Sequence, residues 1–402
     1  MRILHASDFH LGKNLEGFSR MDEQEEFLTD FIKIVEDNSV DLVIISGDIY
    51  DTSNPPARAE NMFYKMLKDV SNHGERMILI ISGNHDNPDR LVAARPLASE
   101  HGIVMVATPK TVVPVGQYGK NTIVNSGEGF IEATVNGEDI VILNVPYPSE
   151  KRLNEVLYTS MDDEDDRAES YSDRIKKLFL NLSGNFKENT INIATSHLFA
   201  MGSEEAGSER SIQLGGSFIV DSNCFPSNAQ YVALGHIHKP MIVPGTDGKV
   251  RYSGSPLQYS KKESSFKKGC YLLDIHANDE AIIDFKEFKI YKPIETWKCG
   301  SIEEAIELCE ENSERNCWVY LEIKTDRYIL DEEIKKMKGF KKDILEIKPV
   351  LNLDYEEDVC DQNFSDKSFK EIFTDFYVQS RGVQPTDEVV DMLLSIMEGD
   401  ED

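Results

Sequence analysis

Five short clusters in this sequence place chemically capable side chains directly after apolar runs. They are "SDFH" with Asp8 and His10, "SGDIYD" with Asp48 and Asp51, "SGNHD" with Asn84 and His85, "TSHL" with His197, and "LGHIH" with His236 and His238. Carboxylates, imidazoles and one amide make a mixed oxygen and nitrogen donor set, which suits Mn, Fe or Zn better than calcium. Asp8 and His10 are two positions apart, as are His236 and His238. In extended backbone such residues point to the same side, so each pair can converge on one centre. Asn84 and His85 are adjacent, so their side chains diverge: one is a ligand and the other faces substrate. Asp48 offers two oxygens from the end of a central strand and is the natural bridge between two ions. Shared in this way it gives about four protein ligands per ion and leaves positions for solvent and a phosphate oxygen. A lone histidine at a strand end is usually structural, whereas five such clusters in series point to a dinuclear metal site. Asp51 is suited to orienting a histidine. His5, His73, His101 and His276 have no such company and read as core or surface residues.

The clusters need elements to hold them. Up to about residue 100, apolar strands ("RILHAS", "DLVIIS", "RMILIIS") alternate with helices of amphipathic spacing ("RMDEQEEFLTDFIKIVEDN", "RAENMFYKMLKDVSNH"). The fold class is therefore α/β, and strands this apolar predict a parallel sheet covered by helices on both faces. Ligands then gather past the strand C-termini. Short strands with glycine turns follow over 102–148, then a charged helical stretch whose acidic run "DDEDDRAE" reads as solvated. Further strands are expected at "TINIATSH", "AQYVALGH", "GCYLLDIH" and "AIIDFKEFKI". After residue 290 a small α+β unit begins. An acidic segment over 351–366 leads to two amphipathic helices over 367–402, each too small to bury its own apolar face.

The order DxH, GDxxD, GNHD, a lone histidine and GHxH resembles that of the calcineurin-like metallophosphoesterases, over roughly residues 1–270. The resemblance implies a sandwich of two mixed sheets flanked by helices for a phosphoesterase domain at 1–289. It further implies an α+β DNA-capping domain at 290–350, the linker, and a helical partner-binding segment at 367–402. It assigns one ion to Asp8, His10, Asp48 and His238, and the other to Asp48, Asn84, His197 and His236. His85 would face the scissile phosphate and Asp86 would brace its loop. Two divalent ions, Mn2+ by preference, are the implied cofactors. "SDFHLGK", "YSGSPLQYS", the capping unit and the terminal helices are similar to those of DNA-break nucleases that act with an ATPase partner. Such enzymes cut double-stranded ends as exonucleases and hairpins or single strands as endonucleases. "GDIYD" puts Asp51 where archaeal and eukaryotic relatives usually carry histidine, which favours a bacterial branch. Family resemblance also implies a homodimer through helices near 60–72 and 89–101, with Phe63, Met66, Leu67, Leu91 and Leu97 as candidate contacts.

Composition narrows the range of functions. A chain that is 40% hydrophobic with no membrane-length apolar run is expected to be a globular protein of the cytoplasm, nucleoid-associated if DNA is its substrate. The first residues enter a strand at once and leave no room for a signal peptide. Six cysteines without a CxxC pair read as reduced thiols. A formal charge of −29 opposes contact with DNA phosphates, but residues 303–402 hold 28 acidic against 12 basic side chains, more than half of that excess. Lys13, Arg20, Arg58, Arg90, Lys261 and Lys262 remain as candidate phosphate contacts near the catalytic loops. "GDIYDTS" lacks the Arg-Gly that follows this motif in protein phosphatases, and no P-loop is present, so any ATP belongs to a partner. The rival functions are those of another phosphodiesterase or phosphatase of this fold and of an ATPase scaffold with a structural metal site.

Overall fold

The apolar runs at the head of the chain form β1 (Arg2–Ala6), β2 (Leu42–Ser46), β3 (Met77–Ile81) and β4 (Ile103–Val106), parallel and adjacent in that order. The structure is a computed structural model. It describes residues 1–153, 164–205, 207–209 and 219–351, with positions 370, 373, 374, 377, 385, 389 and 390. Residues 1–351 form one compact unit and 352–402 another. The linker and the terminal helical pair lie almost wholly outside the described residues; Lys370, Phe373, Thr374 and Tyr377 are helical, the two rings one turn apart.

Helices α1 (Met21–Asp37) and α2 (Ala57–Ser71) cross between these strands and cover one face of the sheet. Phe27, Phe31, Phe63, Met66 and Leu67 recur at helical spacing and pack on Leu4, Val43, Ile45, Ile78 and Ile80. Among the described residues the other face carries no helix, which corrects the expectation, drawn from strand composition, of helices on both faces. A second sheet lies there instead. Its longer strands run β5 (Asn121–Gly127), β6 (Phe130–Val135), β7 (Glu138–Val145), β8 (Ile191–His197), β9 (Tyr231–Gly235) and β10 (Val250–Tyr252), with a short strand on each edge. Ile3, Ile44, Leu79 and Ile81 meet Ile131, Ile140, Ile142 and Ile193 between the sheets. Strands buried by a helix or by a sheet look alike in sequence, because either cover demands apolar side chains. Helix α3 (Glu164–Ser183) covers the far face of the second sheet through Tyr171, Ile175 and Phe179. Antiparallel β11 (Gly269–Asp274) and β12 (Ile282–Glu287) complete the first sheet beside β1. Both sheets are thus mixed, and the layers run helix, sheet, sheet, helix.

Residues after 290 build β13 (Ile294–Cys299), α4 (Ile302–Glu311), β14 (Trp318–Thr325), α5 (Asp331–Phe340) and β15 (Ile344–Leu351), a parallel three-stranded sheet with its own apolar core. It seats on the rest of the unit through a buried polar pin. Arg20 donates to both Glu23 oxygens, at 2.5 and 2.6 Å, and to the Gln258 carbonyl at 2.6 Å. Trp318 Nε1–H donates to Glu23 at 2.8 Å, and the guanidinium lies against the Tyr259 and Trp318 rings. Leu15, Ile294 and Tyr320 seal the pin with apolar surface.

Two expectations change with this packing. Arg20 is buried and no phosphate contact. Phe63, Met66, Leu67 and Leu91 belong to the chain's own core, while Leu97 is 73% exposed.

Removing one partner of a buried ion pair strands the other charge. Arg20→Ala is expected to destabilise the 1–351 unit by about 3–5 kcal/mol, seen as a lower denaturant midpoint, whereas Arg58→Ala on the surface should cost under about 1 kcal/mol.

Candidate metal centre

All five clusters meet at one edge of the sandwich. Asp8 and His10 follow β1, Asp48 follows β2, Asn84 and His85 follow β3, His197 ends β8, and His236 and His238 follow β9. Since β1, β2 and β3 are neighbours in one sheet and β8 and β9 in the other, the facing sheets deliver seven donors to one spot. The backbone is bent hard to do this. Asp8, His10, Asp48 and His236 all have positive φ, at 57°, 46°, 51° and 106°, a region that non-glycine residues rarely occupy. Gly83 and Gly235 allow the close approach: a Cβ on Gly83 would lie 2.1 Å from Asp48 Oδ1, and one on Gly235 2.0 Å from the Ser46 carbonyl.

The donors form two groups. Asp8, His10 and His238 converge in one, and Asp48, His197 and His236 in the other, with ligand atoms within 4.8 Å in each. Asn84 Oδ1 joins the second, 2.9 Å from His197 Nε2 and 3.3 Å from His236 Nδ1. Asp48 Oδ2 looks both ways, 3.6 Å from His10 Nε2 and 3.4 Å from His197 Nε2. His85 is placed differently. Its Nδ1–H donates to the Asp51 carbonyl at 2.6 Å, and Nε2 stands 3.9 Å from Asp48 Oδ2. His10, Asp51 and His85 also cluster, but Lys13 Nζ lies 2.8 Å from Asp51 and supplies a cation there.

His197 Nδ1–H donates to the Ser46 carbonyl at 2.8 Å, which leaves Nε2 facing Asn84 Oδ1 and Asp48, with a proton there that a metal would replace. His10 Nε2 and His238 Nε2 face each other at 3.0 Å. Buried carboxylate, amide and imidazole donors gathered into two groups are a donor set that fits two divalent ions.

Protonation states follow the same crowding. Burial raises the Asp8 pKa to about 6, although the His197 and His238 charges oppose this. Burial likewise works against charge on Asp48, but His197 and His10 hold its pKa well below the usual carboxylate range. Burial lowers His10 to about 3. Burial would lower His197 too, but the charge and hydrogen bond of Asp48, with Asp8, raise it to about 9.

Surrounding groups supply the scaffolding. The Asp86 carboxylate accepts backbone N–H groups from Gly83 (2.8 Å), Tyr50 (3.1 Å) and Ile49 (3.2 Å), tying the loops after β2 and β3 together as its expected bracing role requires. The His236 N–H donates to Asp8 at 3.0 Å and the His85 N–H to Asp48 at 2.9 Å. Ser208 Oγ stands 2.5 Å from His238 Nδ1 and also bonds Glu263, which pairs with the buried Lys268. Sequence reasoning missed Glu263, Lys268 and Ser208: "KKESSFKKG" reads as a charged loop, and nothing local distinguishes its buried members. Among the candidate phosphate contacts, Lys13, Arg58, Arg90 and Lys261 pair with carboxylates of Asp51, Asp22, Glu60 and Glu322, while Lys262 is exposed.

Fold and site together define a metallophosphoesterase. Residues 1–240 match the calcineurin-like phosphoesterase family, and residues 290–381 match the family described as the type 5 capsule protein repressor C-terminal domain. The D subunit of the nuclease SbcCD from Bacillus subtilis (strain 168) is 36% identical over 100% of this chain and 99% of its own length. The proteins of that name from Staphylococcus epidermidis and Rhodobacter capsulatus are 26% and 31% identical, over 94% and 68% of this chain and 92% and 66% of their own lengths. The chain belongs to the calcineurin-like phosphoesterases and, within them, to the D subunits of SbcCD nucleases.

Metal must displace the proton that His197 carries below its raised pKa, so metal affinity should climb with pH until about 9. Calorimetry of Mn2+ binding at pH 7.5 in buffers of different ionisation enthalpy is expected to show release of roughly one proton or more.

Proposed function

We propose that this chain is the nuclease subunit of an SbcCD-type complex and hydrolyses DNA phosphodiesters at a dinuclear centre, with Mn2+ as the working ion. Exonuclease action on double-stranded ends and endonuclease action on hairpins or single strands are its expected activities, with an SbcC-type ATPase as partner. The observation that carries the reading is Asp48 Oδ2 set between two groups of buried donors, with the His85 ring beside them and its Nδ1–H bonded to the Asp51 carbonyl.

Asp8, His10, Asp48 and His238 would hold one ion, and Asp48, Asn84, His197 and His236 the other. When bound, such ions offset phosphate charge and lower the pKa of water at the site. The protein does the positioning. Backbone N–H groups of His236 and His85 fix the rotamers of Asp8 and Asp48. The Ser46 carbonyl fixes the His197 tautomer, and the Asp51 carbonyl fixes that of His85. With Nδ1–H committed to the Asp51 carbonyl, His85 turns Nε2 towards the substrate; in the doubly protonated ring, Nε2–H would stabilise charge on the phosphoryl oxygens or pass its proton to the leaving sugar oxygen, leaving the ring neutral.

Pairing of two copies is proposed through the face that the core leaves uncovered. Leu97 and Tyr64, 73% and 39% exposed, border an apolar groove of about 520 Å³ with Ala93, Ala94 and His101. The terminal segment 367–402 is the proposed seat of the ATPase. A cytoplasmic, nucleoid-associated location accords with a DNA substrate, and among the described residues no helix is long and apolar enough to cross a membrane.

Two experiments test the reading. His85→Gln should bind two Mn2+ ions yet lose about 10²–10⁴ in cleavage rate, whereas Asp48→Ala should lose both ions; an Asp48→Ala protein that kept two would refute the bridging role. Separately, Leu97→Glu is expected to yield a metal-binding monomer by sedimentation, whereas Phe63→Glu, which buries an uncompensated charge, should unfold the chain.

A further inference from the structure

Between β7 and the described end of the chain segment at Leu153, residues 146–153 pass over the loop that follows β3. Tyr147 N–H donates to the Ser82 carbonyl at 3.0 Å, and a single helical turn from Ser149 anchors through buried Leu153. This turn presents Arg152 to the loop. Its Nη1 donates to the Gly83 carbonyl at 2.7 Å and to Ser82 Oγ at 3.1 Å, and its Nη2 donates to the Asp86 carbonyl at 2.8 Å. The guanidinium carbon lies 5.2 Å from the centre of the Tyr147 ring, and that ring stands edge-on to His197 at 6.4 Å.

The two carbonyls that Arg152 holds flank Asn84 and His85 in sequence. Past Ser82, among the described residues, no helix or sheet bonds secure the backbone of Gly83 to Asp86, so its carbonyls need other donors. From one direction the Asp86 carboxylate takes the loop's Gly83 N–H and ties it to the Ile49 and Tyr50 N–H groups of the loop after β2; from the other, Arg152 gathers its carbonyls. We infer that Arg152 is a positioning residue that fixes Asn84 against His197 and His236, and His85 towards substrate, by clamping the backbone on either side of them. The planar fork matters: a guanidinium reaches two divergent carbonyls from two separate, rigidly spaced nitrogens, whereas an ammonium must reach both from a single nitrogen. The inference rests on the dinuclear reading above and adds to it a residue whose guanidinium bonds go to the loop backbone and Ser82 rather than to the metal-binding side chains.

Metal binding by the purified, metal-free full chain tests it, with Mn2+ as the probe and calorimetry as the readout. Wild type should bind two ions. Arg152→Ala should weaken one of them at least about tenfold and the other by less than about threefold, because the clamp serves the Asn84 side. Low-millimolar guanidinium should restore the weakened site, and Arg152→Lys should bind less tightly than wild type. In an Asn84→Ala background the Arg152→Ala change should add no further loss, since both act through one interaction. Equal weakening of both sites, full additivity in the double variant, or wild-type binding by Arg152→Ala would overturn the assignment. If Arg152→Ala does not fold, Arg152→Lys with wild-type affinity at both sites would overturn it equally. A wild-type chain that binds no Mn2+ would instead remove the dinuclear reading, and this inference with it.

Discussion

Much of this structure follows from one requirement, a carboxylate held out of water between two sets of imidazoles. Asp48 is buried and faces His10 on one side and His197 on the other. A buried charge with no partner is among the most expensive things a protein can carry. Here the partners come from both sheets, so the sandwich has to close before the site exists. Closing it brings β2 of one sheet against β8 and β9 of the other, and Ser46 bonds Thr195 across the gap at 2.9 Å.

Placing so many polar groups together costs backbone freedom elsewhere. Four of the proposed ligands lie at positive φ, and two glycines stand where any Cβ would strike Asp48 or Ser46. Such strain persists only where neighbours over-determine it. Asp86, Arg152 and the Glu263–Lys268 pair are those neighbours. They turn flexible loop ends into fixed ones, which transition-state stabilisation by preorganised groups requires.

Charge is managed differently near the site and away from it. Most basic residues around the catalytic loops are answered by a carboxylate, and Arg20 is spent inside the pin that seats the α+β unit. A surface neutralised in this way favours weak intrinsic affinity for DNA and reliance on a partner to hold it. The acidic excess after residue 303 extends through the segment proposed to bind that partner.

The chemistry and the alternation of strands and helices were legible from sequence, because both are local. A carboxylate or imidazole directly after an apolar run announces itself, and the pair in "SDFH" does converge, whereas His236 and His238 of "GHIH" part to the two donor groups because His236 leaves extended backbone. The covering of the first sheet was legible only through the motif resemblance, which implied a sandwich of two sheets, and not from the strands themselves. Strand composition reports that a face is buried but not by what, so helices were expected where a second sheet lies. Nor was the fate of individual charges and apolar residues: Arg20 went inside, Phe63 and Leu91 stayed in their own core, and Leu97 did not. Arg152 and Glu263 act across 69 and 55 positions of sequence, on Gly83 and Ser208. Sequence by itself determined which donors meet at the candidate metal centre; which residues hold those donors still was decided only by tertiary structure, because hydrogen bonds between distant loops leave no periodic trace along the chain.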